Sequence, residues 1–458
     1  MASVSRQKNG CMTEEADGVL HFLDSFLQDF PAPLSPEDPL PQKPQNSILN
    51  QDEVLGEMSE LAVRLLRDRN ASPLLAAALA YASVERLLQA DLSDFIKKQN
   101  SQEKQEEDET TLLDAAALQR SWWNKLWEVC GAWQKQLPLL NPLKCYLLVS
   151  IHAIRNTRRK MEDRHVSLPE FNQFFGLKDG LDRAYFAVFD GHGGLDATNY
   201  AATHLHINVG LHEKLMANPA EALRDSFQRT DNMFLKRAKR ERLRSGTTGV
   251  SALIVGNRLH VAWLGDSQIV LVRQSKALML MDPHKPDRKD ERQRIEALGG
   301  CITHMGCWRV NGTLAVSRAI GDIDQKPYIS GVADGASFQL MGCEDYLVLA
   351  CDGFFDSVKT WMVVELVLEH LRENGGDGTK TAESLVTAAK EGGSSDNITV
   401  MVVFFRDPRT ILADSLTAAG SCRPVEHSDD SLFNFFSSEA EDQGTNHMNL
   451  KENHDKID

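Results

Sequence analysis

A chain of 458 residues exceeds one ordinary domain and has room for a catalytic domain of roughly 250 residues plus extra segments. With 42% hydrophobic and 25% charged residues, it has a globular composition and ample apolar material for a core. The net charge of −15 argues against nonspecific binding to nucleic acid or anionic membrane. The first residues lack a charged segment followed by an apolar one, and no apolar run approaches the roughly 18 residues of a membrane span. A cytosolic location is expected, with nuclear presence compatible. Eight cysteines fall at scattered spacings without a Cys-x-x-Cys pair, which suggests neither a zinc site nor a disulfide framework. Cys351 reads as a buried thiol. Cys301 and Cys307 could meet in a loop, but reduced thiols are expected.

Residues 1–49 are rich in Pro, Asp and Gln, with six prolines from Pro31 to Pro44, and read as an extended leader. Within it, Leu20, Phe22, Leu23, Phe26, Leu27 and Phe30 form a short amphipathic patch able to dock as one or two helical turns. At Asn50 the apolar period becomes helical. Asn50 with Glu53 fits a capping start, and Val54, Met58, Leu61, Ala62 and Leu65 line one face. Ser72-Pro73 supplies an N-cap and first-turn proline for a second helix bearing Leu75, Leu79 and Leu87. An acidic stretch, Gln102–Glu109, reads as an exposed linker.

A third helix carries Trp122, Leu126, Val129 and Trp133 on one stripe and ends near Pro138. Four of the seven tryptophans lie between Trp122 and Trp133, so the helix must pack against something. A core or interdomain interface explains this better than a calmodulin-type target, because no strongly cationic face is present. Residues 50–140 therefore read as a helical accessory module.

Near Lys144 the texture turns to β. Strands are predicted at Tyr146–Ile151, Ala184–Phe189, Ser251–Val255, Leu259–Leu264, Ile269–Arg273, Leu347–Cys351 and Ile398–Phe405. Helices are predicted at Asp196–His206, Pro219–Lys239, Asp290–Leu298, Thr360–Glu373 and Thr381–Lys390. Residues 143–407 form the expected catalytic domain, and residues 408–458 a disordered acidic tail. Basic residues cluster at Arg155–Lys160 and Lys236–Arg244. The second cluster fits either a solvated helix end or a docking patch for an acidic or phosphorylated partner.

The chemistry lies in aspartates at strand ends or in tight turns. Asp190 follows Ala184–Phe189 and opens Gly191-His192-Gly193-Gly194, where glycine lets a ligand approach the backbone closely. Asp352-Gly353 repeats the arrangement after Leu347–Cys351. Asp396-Asn397 precedes a strand, Asp266 sits in Gly265-Asp266-Ser267, and Glu162-Asp163 lies upstream. Converging carboxylates repel unless protons or cations neutralise them, which points to hard divalent metals and metal-assisted hydrolysis.

Over about residues 143–407 the chain resembles the metal-dependent Ser/Thr protein phosphatases of type 2C. The matching stretches are Arg158 with Met161-Glu162-Asp163, Phe189–Gly194, Ser245-Gly246-Thr247-Thr248, Gly265-Asp266-Ser267, Leu314–Asp322, Cys351-Asp352-Gly353 and Asp396-Asn397. The resemblance implies an α+β fold, an antiparallel β-sandwich flanked by helices on both faces. It implies that Asp190 bridges two Mn²⁺ or Mg²⁺ ions, with Glu162 and the Gly191 carbonyl on one, Asp352 and Asp396 on the other, and Asp163 acting mainly through water.

Oxygen-only ligands suit these hard ions and not zinc. Water activated between two such ions would attack phosphorus in line. Arg158 is the expected phosphate ligand and His192 the expected general acid. Asp266 supports a third cation in the family, or else stabilises its own turn. Arg318 and Asp322 are expected as structural pairs beneath a flap. Phe354-Phe355 stands where many relatives carry a tryptophan, which keeps an aromatic cover. Implied partners are phosphorylated kinases, including calmodulin-dependent kinases, and other phosphoproteins, with adaptors engaging the N-terminal module. The alternative is a binding protein on a degenerate phosphatase fold, but no metal-binding carboxylate is missing.

Overall fold

The computed structural model describes residues 17–97, 111–140, 142 and 144–419. The first part of the leader, the acidic stretch Gln102–Glu109 and the tail beyond residue 419 lie outside the described residues. The chain divides into two compact units, Met1–Ala413 and Asp414–Asp458, and the architecture below is that of the first.

The leader is more ordered than its composition suggests. Residues 17–29 form a helix, α1, that buries Leu23 and Phe26. The apolar spacing of three and four residues sustains it until the prolines begin at Pro31. A short strand, β1 (Ile48–Asn50), leads into α2 (Gln51–Asp68). Here Asn50 and Glu53 form the expected reciprocal capping box, with bonds of 2.9 and 3.0 Å. Next comes α3 (Pro73–Leu88), capped by Ser72, then β2 (Leu112–Asp114), which pairs with β1, and α4 (Ala115–Lys135).

The tryptophans of α4 hold this module together. Trp122 Nε1 donates to Ser83 Oγ at 3.0 Å, Trp127 Nε1 donates to the Phe30 carbonyl at 2.8 Å, and Trp123 meets the Phe30 ring edge-on at 4.7 Å. They serve as core: the indole N–H groups of Trp122 and Trp127 are satisfied, while that of Trp123 is buried without a partner.

In the sandwich, β3 (Leu148–Ile154), β4 (Arg164–Leu168), the short helix α5 (Phe171–Phe174) and β5 (Arg183–His192) come first. Two long helices follow, α6 (Asp196–Gly210) and α7 (Pro219–Glu241). Two hairpins in different sheets, β6 (Gly246–Val255) with β7 (Arg258–Leu264) and β8 (Gln268–Arg273) with β9 (Lys276–Met279), then precede α8 (Lys289–Ala297). The hairpin β10 (Ile302–Met305) and β11 (Cys307–Val310) projects next, before β12 (Ile320–Gly321), β13 (Asp334–Gln339) and β14 (Glu344–Ala350). The unit closes with α9 (Asp352–Phe355), α10 (Met362–Glu373), α11 (Thr381–Glu391) and β15 (Ile398–Phe404).

One sheet runs β13-β7-β6-β5-β4, with β12 on β6, and the other runs β3-β15-β14-β8-β9, with antiparallel pairs throughout. Alternation along β5 shows the layering. Ala184, Phe186 and Val188 enter the core between the sheets with Leu347, Leu349, Met401 and Val403. Tyr185, Ala187 and Phe189 face the layer of Leu205, Leu223, Phe227 and Phe234 from α6 and α7. The opposite sheet is covered by Val367 and Leu371 of α10 and Leu385 of α11. This is the expected sandwich with helices on both faces.

A last helix, α12 (Pro408–Ala419), corrects the reading of a disordered tail from residue 408. Asp407 starts it by accepting from the Arg409 backbone at 2.9 Å, and Ile411 is buried against the outer helical layer. Cys301 and Cys307 do not meet, because Cys307 lies across the hairpin from Met305 while Cys301 accepts from the Asn311 backbone.

Candidate active site

The aspartates converge at one edge of the sandwich because β5, β14 and β15 deliver them there. Asp163, Asp190 and Cys351 each present one ligand-type atom within 4.8 Å of the others. Burial raises the Asp190 carboxyl well above its ordinary range, and the charges of Asp352, Asp163 and Asp266 push it further up. Asp352 is raised by burial and then by Asp266, and it shares a hydrogen bond with Asp190. Asp163 is raised by burial although its Oδ2 accepts from Thr399 Oγ1 at 2.7 Å. Its other oxygen is buried without any partner. The Cys351 thiol, raised by burial and by Asp163 and Asp190, stays protonated and accepts from the Thr399 backbone at 3.2 Å. It is packing, as expected.

Backbone geometry fixes the loops around these carboxylates. A Cβ at Gly191 would lie 2.0 Å from Thr198 Oγ1 and 2.5 Å from the Glu162 carbonyl, so only glycine lets the two loops touch. At Gly353 the corresponding atom would lie 2.0 Å from the Asn397 carbonyl. Asn397 ties the loop bearing Arg158 in place. Its Oδ1 accepts from the Glu162 backbone at 2.7 Å, and its Nδ2 donates to the Arg155 and Lys160 carbonyls at 2.9 and 3.0 Å. Arg158 Nη2 meets Asp396 Oδ2 at 2.5 Å with its side chain 58% exposed, so much of its fork still faces solvent.

His192 Nε2 lies 2.8 Å from Asp322 Oδ2. Burial alone would lower the imidazole pKa, but Asp322, with Asp266 and Glu162 behind it, raises it above the ordinary value. Arg318 and Asp322 both form pairs, as expected, but not with each other. Arg318 instead binds Glu291 at 2.7 Å and Asp334 at 2.8 Å, while Asp322, in a left-handed conformation at φ +51°, turns to the histidine. Sequence reasoning also missed Lys285, whose ammonium pairs with the buried Asp266. A third cation at Asp266 would have to displace that ammonium.

Together, the two-sheet fold and the edge of clustered carboxylates define the metal-dependent phosphatase class. The chain belongs to the protein phosphatase 2C family, whose model matches residues 147–398. It is 60% identical to Protein phosphatase 1F of Homo sapiens over 90% of this chain and 92% of that one. Protein phosphatase 1E of Homo sapiens is 52% identical over 82% of this chain and 49% of its own length. Among solved structures, a C. elegans sex determining protein superimposes with a TM-score of 0.67 at 22% identity, over 87% of this chain and 97% of that one. A serine-threonine phosphatase 2C from Toxoplasma gondii gives 0.51 at 24% identity over 58% and 98%. The chain is a Ser/Thr protein phosphatase of a divalent-metal-dependent family, and its substrates are phosphoproteins.

Proposed function

We propose that Glu162, Asp190, the Gly191 carbonyl, Asp352 and Asp396 hold two Mn²⁺ or Mg²⁺ ions, with Asp163 assisting from behind. The observation that supports this reading is the crowded carboxyl set of buried Asp163 and half-buried Asp190 and Asp352, whose repulsion calls for cations. The partnerless Asp163 oxygen fits the same donor set. When bound, such ions neutralise phosphate charge and lower the pKa of water.

The chain's own residues do the rest. Arg158 offers its fork to phosphate oxygens beside Asp396. His192, held at Nε2 by Asp322, donates the proton carried on its other ring nitrogen to the departing serine or threonine oxygen. The site reads phosphate and little else, so protein selectivity belongs to surrounding surfaces. Activated kinases, calmodulin-dependent kinases among them, are the proposed substrates. The cytosol, with access to the nucleus, is the proposed location, and residues 50–140 the proposed adaptor surface.

The test is Asp190→Asn. Removing one of several mutually repelling charges is expected to raise the thermal stability of the metal-free protein by about 1 kcal/mol. The same change should abolish both Mn²⁺-dependent phosphate release and the stabilisation that Mn²⁺ gives the parent chain. A variant that keeps turnover, or loses stability without metal, counts against the carboxylate site.

A further inference from the structure

The basic run at the end of α7 has no part in the chemistry above. On a chain of net charge −15, Lys236, Lys239, Arg240, Arg242 and Arg244 crowd into one turn and the residues after it, all exposed. Some of this charge is met locally. Arg240 pairs with Glu241 at 2.8 Å, and Arg244 with Asp324 at 3.2 Å. The Arg244 pair is open to solvent on both sides, at 80% and 57%, so it exchanges readily for a better anion. Among the described residues no carboxylate forms an ion pair with Lys239 or Arg242.

Two features separate this run from a merely solvated helix end. Arg242 closes α7 in the left-handed conformation, at φ +58°, where glycine or asparagine would sit with less strain. The following residues then pass directly beside the active-site loop. Gly246 lies across from His192, and a Cβ at Gly193 would sit 3.7 Å from Ser245 Cα and 3.8 Å from the Arg244 carbonyl. Arg244 is therefore only about 7 Å along the chain from the residue that faces the histidine.

We propose that Lys239, Arg242 and Arg244 form a docking rim for a second phosphoryl group, carried on the same substrate segment as the phosphoresidue being hydrolysed. The proposal rests on the phosphatase reading of the neighbouring site. Two of the three cations are guanidinium groups, whose planar forks match phosphate oxygens in pairs. A phosphate near its dianionic form meets more of this charge than one carboxylate does, while the rest of the surface, acidic on balance, repels it.

Fluorescence anisotropy with the full chain in chelator tests the rim without turnover. Three peptides of one sequence serve as probes: one with two phosphothreonines, one with a single phosphothreonine, and one with glutamate in place of the second. The doubly phosphorylated peptide is expected to bind about tenfold more tightly than either of the others. Lys239→Gln with Arg242→Gly, the latter suited to the left-handed turn, should bring that ratio close to one. An unchanged ratio in the variant overturns the rim, and equal binding of the glutamate peptide by the parent chain overturns the phosphate assignment. Failure of the catalytic reading would show separately, as absence of Mn²⁺-dependent turnover of the singly phosphorylated peptide.

Discussion

Gly56→Ala in α2 sets two opposed effects against each other at the junction of the helical module and the sandwich. In a helix interior, alanine is ordinarily favoured over glycine by about 1 kcal/mol. Here the added methyl would lie 2.4 Å from His204 Nδ1, 2.7 Å from its Cε1 and 3.2 Å from the Thr203 carbonyl. His204 is 1% exposed, and its ring centroid lies 4.2 Å from that of Tyr200, so it has little room to swing aside. Overpacking of a filled site costs about 1–3 kcal/mol. Sterics should win, leaving a net loss of about 1 kcal/mol after the propensity gain. His204→Ala removes the obstruction, so in that background the same substitution should stabilise by up to about 1 kcal/mol. Urea unfolding of the four proteins measures the cycle. Stabilisation by Gly56→Ala alone, or an equal loss with and without His204, refutes the close contact between α2 and α6.

Two further outcomes follow from the site and its supports. His192→Ala should slow hydrolysis of a phosphopeptide on the order of a hundredfold more than that of an aryl phosphate, whose phenolate leaves without a proton; equal losses in steady-state assays remove the acid role. For Glu291, burial alone would raise the carboxyl, but Arg318 and Arg294 hold it at about 2. A depressed folded value means stability that is present above the unfolded pKa and lost as pH falls from about 4.5 toward 2. Glu291→Gln should therefore flatten the acid limb of the unfolding curve and cost about 2 kcal/mol at neutral pH, after allowance for solvent screening; an unchanged acid slope contradicts the pairing.

The elements legible in the sequence were those whose signal is local. β5 reads as a strand because its apolar run fills both faces, and Asp190 announces itself because a glycine turn follows that run. The same logic found Asp352 and Asp396. By contrast, β4 is the stretch Arg-His-Val-Ser-Leu, with no apolar run, and it is a strand because it pairs with β5. The short strands β10 to β13 escaped for a similar reason, since pairing rather than composition defines them.

The partners of the acidic residues were illegible for a deeper reason. Asp322, readable from the sequence only as a member of some structural pair, is left-handed and does not pair with Arg318 four residues before it. Its partner, His192, is 130 residues away. Lys285, which neutralises Asp266, lies 19 residues beyond it and carries no motif of its own. Strand ends and turns bring like charges together by local rules, whereas their counter-charges arrive from wherever the chain returns. Charge balance at this edge is thus a property of the tertiary fold, and it is why one aspartate there holds an imidazole, another an ammonium, while Asp163 and Asp352 crowd against Asp190 and raise its pKa.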